Sequence, residues 1–149
     1  HFRDRDEILH AVVAAGMGRM RARIEAAAAA HPPRSVDRIA AIGKAYIDFA
    51  REEPGIFQTI FGLAKSRKDD PELEALGDGT FQFVVSVVAE FLDRDPSDPD
   101  IVSRAYALWS IVHGHSFLVL DGKFEPEKLP MTEDAFLIFV GGAMLNAPA

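Results

Sequence analysis

Cysteine is absent from this sequence. That excludes disulfides, thiolate metal sites and cysteine nucleophiles together, and it fits a protein of the reducing cytoplasm. Long apolar runs are also lacking: none reaches the roughly 18 residues of a bilayer-spanning helix, so no membrane partner is expected. The opening His1-Phe2-Arg3-Asp4-Arg5-Asp6 has none of the apolar core of a secretion signal. Positive charge is scarce, since 16 Lys and Arg stand against 23 Asp and Glu for a net charge of −7. A self-sufficient DNA reader usually carries a basic patch. The one short basic cluster is Arg19, Arg21 and Arg23. Neighbours two apart on a helix lie about 200° apart and share no narrow face. This cluster reads as solvated helix surface, and the chain alone is expected to bind DNA poorly.

Chemistry-bearing motifs are equally thin. Glu7-x-x-His10 matches half of a di-iron carboxylate motif, but such sites need it twice, and no second copy exists. In His113-Gly114-His115 the two imidazoles, two residues apart on a helix, point to nearly opposite sides and cannot chelate one ion. Gly77-Asp78-Gly79 lacks the preceding strand of a nucleotide fingerprint. No Ser/His/Asp arrangement has supporting context. Neither a metal nor a cofactor is expected, and nothing positive points to an enzyme.

What the chain does have is helical periodicity. Its 149 residues, 48% hydrophobic and 26% charged, suit one soluble domain with its own core. Proline and glycine divide it into helical segments. The first runs from about Asp4 to Ala30, with Asp4 and Glu7 as a loose capping box and Leu9, Val13, Met17, Met20, Ile24 and Ala27 as its stripe. Pro32-Pro33 stops it. The second starts near Ser35 or Asp37 and ends before Pro54. A short third carries Ile56, Phe57, Ile60 and Phe61, and a charged loop is expected from Ala64 to Asp70. Asp70-Pro71 caps a segment reaching about Leu92, which Gly77 and Gly79 are expected to kink. Long helices are predicted over 101–120 and from Thr132 to about Asn146. No segment reads as a strand. The fold class is therefore all-α, a bundle of about six helices.

The last two helices hold surplus apolar surface. Along 101–120 one face carries Val102, Tyr106, Trp109, His113, Phe117 and Leu120, and another carries Ile101, Ala105, Leu108, Val112, His115 and Val119. One stripe packs a helix onto its own domain; two call for a second partner. The final helix repeats the pattern, and Gly141 and Gly142 suggest close helix approach. The expectation is a homodimer, its two-fold four-helix interface built from Leu108, Val112, His115, Val119, Leu137, Ile138, Gly141, Gly142 and Leu145. Deep burial within one chain is the alternative.

Aromatic residues fall on at least four helices, and Tyr, Trp and His bring polar tips that need partners when buried. Apolar walls with a few polar tips describe small-molecule pockets as well as ordinary cores.

Three stretches resemble a known family. His1-Phe2-Arg3-Asp4-Arg5-Asp6-Glu7-Ile8-Leu9 looks like the segment following the recognition helix of TetR-family regulators. Residues 45–62, including Arg51-Glu52-Glu53-Pro54-Gly55-Ile56-Phe57, and Trp109-Ser110-Ile111-Val112-His113-Gly114 resemble a subgroup with a Trp-His-Gly signature. That subgroup often has His before the proline, where this chain has Glu53. The resemblance implies that residues 1–3 are the stub of a helix-turn-helix and residues 4–149 a ligand-binding and dimerisation domain. It also implies a cytoplasmic transcriptional regulator, more commonly a repressor, whose small effector sits inside the bundle and whose operator DNA is read only through the missing N-terminal domain. The expected effector site comprises Tyr46, Phe57, Phe61, Phe81, Tyr106, Trp109 and His113. A small helical-bundle enzyme or carrier, or a purely structural dimerisation module, is the alternative reading.

Overall fold

The computed structural model describes residues 4–62 and 70–148. The expected stub at residues 1–3 and most of the expected loop from Ala64 lie outside them. The described residues form six α-helices, a turn of 3-10 helix at Pro126–Lys128 and no strand. The helices are α1 (Arg5–Ala29), α2 (Val36–Glu52), α3 (Pro54–Gly62), α4 (Pro71–Leu92), α5 (Pro99–Leu120) and α6 (Glu133–Asn146).

Local chemistry starts most of these helices. The side chains of Asp4, Ser35, Asp70, Asp98 and Thr132 each accept a hydrogen bond from a backbone N–H in the first turn that follows. Such caps satisfy donors that have no intrahelical partner. Asp93 ends α4 in the left-handed conformation at φ 54°. Arginines close two other ends. Arg38 Nε donates to the Ala28 carbonyl at the end of α1, and Arg104 donates to the Met144 carbonyl in the last turn of α6. A cation there also meets the negative pole of the helix.

Helix α2 is the hub, packing against α1, α3, α5 and α6. Its Ile47, Phe49 and Ala50 are wholly buried. Helix α4 packs on α1 and α5.

Gly77 and Gly79 do not break α4, which is helical from Pro71 to Leu92. Both face α1: a Cβ on Gly77 would sit 3.6 Å from Met17 Cε, an ordinary contact, and one on Gly79 would lie 2.7 Å from Arg21 Nη1, the movable end of a long side chain. The helix continues despite a local cost of about 1 kcal/mol per glycine. By length and composition α4 alone among the described helices would qualify as a membrane span, yet its Leu73, Val85, Val87, Val88 and Ala89 are buried in the bundle.

The basic cluster on α1 is engaged rather than merely solvated. Arg19 donates to Glu53 at 2.7 Å, Arg23 to Glu52 at 2.5 Å and Arg21 to Glu25 at 2.7 Å. A second network centres on Glu133 at the start of α6. Its carboxylate accepts from Arg51 at 2.6 Å and from His115 Nε2 at 2.9 Å, with Lys44 Nζ 3.6 Å away. Burial alone would raise the Glu133 pKa, but the hydrogen bonds and charges of Arg51 and His115 hold it down to about 2.

The structure turns inward much of the face expected at a dimer interface. Leu108, Val112, His115, Leu137, Gly141 and Leu145 are buried within the single chain, where α2, α5 and α6 meet. Val119 and Gly142 are half-buried, and Ile138 is 41% exposed. Apolar surface remains on the opposite side of α6, where Ala135, Ile138, Phe139 and Gly142 follow i, i+3, i+4, i+7 spacing and Phe139 is 63% exposed. Leu118 is an exposed apolar residue on α5. Periodicity revealed the stripes correctly but not which of them faces the core.

Candidate functional site

A cavity of about 410 Å³ opens between α1, α2, α4 and α5. Each helix contributes a short arc of wall. Helix α1 brings Met17, Met20 and Ile24, one stripe at i, i+3, i+7. Ile39, Ile42, Gly43 and Tyr46 come from α2, Phe61 from the end of α3, and Leu108, Trp109, Val112 and His113 from α5. Helix α4 supplies Gly77, Asp78, Thr80, Phe81, Val84 and Val87. Glycine matters at Gly43, because a Cβ there would press within 3.2 Å of both Val112 Cγ2 and Leu137 Cδ2.

Three polar groups of this apolar chamber are linked. Tyr46 Oη lies 2.6 Å from His113 Nδ1, and Trp109 Nε1 donates to Tyr46 Oη at 3.3 Å. Tyrosine has one hydroxyl proton. The indole N–H fills one acceptor site on Oη, and the hydroxyl shares a second hydrogen bond with His113 Nδ1. The chain of three is assembled from two helices, α2 and α5. Rings surround it: Phe61 stands edge-on to His113 at 4.6 Å, and Phe81 tilts against Trp109 at 5.9 Å. His115, two residues from His113, faces elsewhere and touches Phe124, Phe136 and Glu133.

Five of the seven residues expected at the site line the cavity together: Tyr46, Phe61, Phe81, Trp109 and His113. Two do not. Phe57 is fully buried behind the wall, edge-to-face with Tyr46 at 5.5 Å and against Phe61 at 4.7 Å. Tyr106 is 59% exposed, on the outer side of Trp109. The helical stripe of α1 was legible, but nothing in a stripe tells a residue that meets a neighbouring helix from one that meets a void. Asp78 and Thr80 carry no ring, so the aromatic pattern does not mark them as cavity residues.

Such an arrangement can hold a small apolar molecule and orient it through a few hydrogen bonds, and the volume falls within the range of ligand sites. Among the described residues no group of three or more His, Cys, Asp or Glu is placed to hold a metal ion.

Residues 39–140, which carry most of the cavity wall, match the family described as tetracyclin repressor-like, C-terminal domain. Among solved structures, a protein of unknown function from Rhodococcus sp. RHA1 superimposes with a TM-score of 0.81 at 22% identity, over 97% of this chain and 75% of that one. At that identity the likeness speaks for the fold. No curated protein sequence matches.

Proposed function

This chain belongs to the tetracyclin repressor-like C-terminal domain family, and from that premise we propose that it is the effector-sensing and dimerising part of a cytoplasmic transcriptional regulator of the Trp-His-Gly subgroup, acting as a repressor. A small, largely apolar effector occupies the cavity. Operator DNA is read by a helix-turn-helix N-terminal to α1, and the effector acts by favouring one separation of the two DNA-reading heads over another. The observation that carries this reading is the chamber itself, in which linked Tyr46, His113 and Trp109 stand among apolar walls.

Homodimerisation is the second half of the proposal. Exposed Ile138 and Phe139 on α6, with Leu118 on α5, leave apolar surface that a second copy would cover. The interface expected from the sequence moves accordingly onto the outer faces of the same two helices. An isologous contact of this kind places two α5–α6 pairs across a two-fold axis.

The experiment is a screen of apolar small molecules against the purified chain, read by emission of Trp109, the one tryptophan present, and by thermal shift. Hits should bind the native chain and lose binding to Val84→Phe, whose ring takes up space in the chamber while Trp109 stays the one tryptophan. Hits that bind both forms equally would remove the cavity from the proposal.

A further inference from the structure

The chamber carries one carboxylate, that of Asp78, and no lysine or arginine among its described lining residues. Asp78 stands on α4 three residues before Phe81, hence on the same face. Phe81 in turn tilts against Trp109. An exposed carboxylate therefore shares the rim of an apolar cavity with two aromatic rings. Asp78 has no ion-pair partner among the described residues. Arg21, which approaches Gly79 next door, is committed to Glu25 at 2.7 Å.

We propose that the cavity selects apolar molecules bearing a protonated amine, with the ammonium held between the Asp78 carboxylate and the faces of Phe81 and Trp109. This rests on the effector reading above and narrows it to one chemical class. Ammonium groups are attracted both to carboxylates and to the negative faces of aromatic rings, indole most of all. The net charge of −7 draws cations toward a cleft whose walls are of low dielectric. The same carboxylate rejects apolar acids, which would bring a second negative charge to the rim. The Gly77-Asp78-Gly79 stretch, without meaning as a phosphate loop, acquires a role here. Its glycines face α1, and its exposed aspartate stands at the entrance.

Phenylbutylamine, phenylbutanol and phenylbutyrate share one apolar body and differ at the head group. Their dissociation constants are measured on the native chain and on Asp78→Asn by Trp109 emission and thermal shift, with circular dichroism checking the fold of the variant. The amine should bind about fivefold tighter than the alcohol, the sum expected of a partly exposed charge pair and a ring contact, with the acid weakest. In Asp78→Asn the amine and alcohol should come within about twofold of each other, since only the ring contact then remains to tell them apart. Equal binding of amine and alcohol to the native chain, or an amine advantage that persists in Asp78→Asn, overturns this inference and leaves the effector reading standing. If none of the three moves either signal, the effector reading fails and this inference with it.

Discussion

Tyr46 on α2 and His113 on α5 meet hydroxyl to Nδ1 at 2.6 Å inside the cavity, although 67 residues separate them in the chain. Replacing Tyr46 with phenylalanine keeps the ring and its edge contact with Phe57 but removes the shared oxygen. Both His113 and Trp109 lose that partner, at an expected cost of about 1–3 kcal/mol. Urea denaturation measures the loss, and unchanged stability would mean that the Tyr46 oxygen contributes little.

Two glycines two residues apart on α1 make opposite predictions. A Cβ on Gly16 would collide with Ile56 Cγ2, whereas one on Gly18 meets nothing within 4 Å. Gly16→Ala should destabilise by about 1–3 kcal/mol through overpacking. Gly18→Ala, in an exposed helix interior, should stabilise by roughly 0.5–1 kcal/mol. Melting temperatures of the two variants should move in opposite directions from the native value.

Acid should loosen the tie between α2, α5 and α6. Glu133 has a pKa of about 2 in the fold against an ordinary value of 4.5. A depressed carboxylate contributes stability that is fully present above its unfolded pKa and is lost as pH falls toward the folded one. The contribution is about 3 kcal/mol at neutral pH. Glu133→Gln should therefore cost most near neutrality, and its deficit in denaturant midpoint should narrow as the solution is acidified below the ordinary carboxylate value. A constant deficit at all pH values would contradict this account of Glu133.

Neighbouring apolar residues on α6 should separate fold from assembly. Phe139 is 63% exposed, whereas Leu137 is buried at 4%. Phe139→Glu should leave the melting behaviour of the monomer nearly intact while sedimentation reports loss of the dimer. Leu137→Ala should cost about 2–5 kcal/mol of fold stability. A native chain that sediments as a monomer would refute the dimer directly.

Helix existence and most helix starts were readable because their causes are local. Asp4, Ser35, Asp70 and Thr132 cap the helices that the sequence predicts they cap. Continuity of α4 through Gly77 and Gly79 was not readable, because propensity assigns each glycine a local cost and does not see the packing of the helix on α1 and α5. The site was half legible for the same reason. Ring-bearing residues announce themselves, but only packing decides that Trp109 borders the void, Phe57 stands behind it and Tyr106 lies outside. Leu108 and Val112 show the limit from the other side: their apolar face was evident, and its direction was set by Gly43 and Leu137.

Helix α1 spans 25 residues, a rigid rod of about 37 Å. Its cavity-lining residues begin at Met17, roughly 18 Å along that rod from Arg5. The stretch from Arg5 to Met17 is thus an arm that ends at the chamber wall. A tilt of about 5° at Met17 carries the Arg5 end through roughly 1.6 Å by the same geometry. Part-way along that arm His10 grips Asp70 and Glu72, at 2.5 and 2.9 Å, at the start of α4. That grip ties the N-terminal half of α1 to the start of α4, and these same two helices wall the chamber further along.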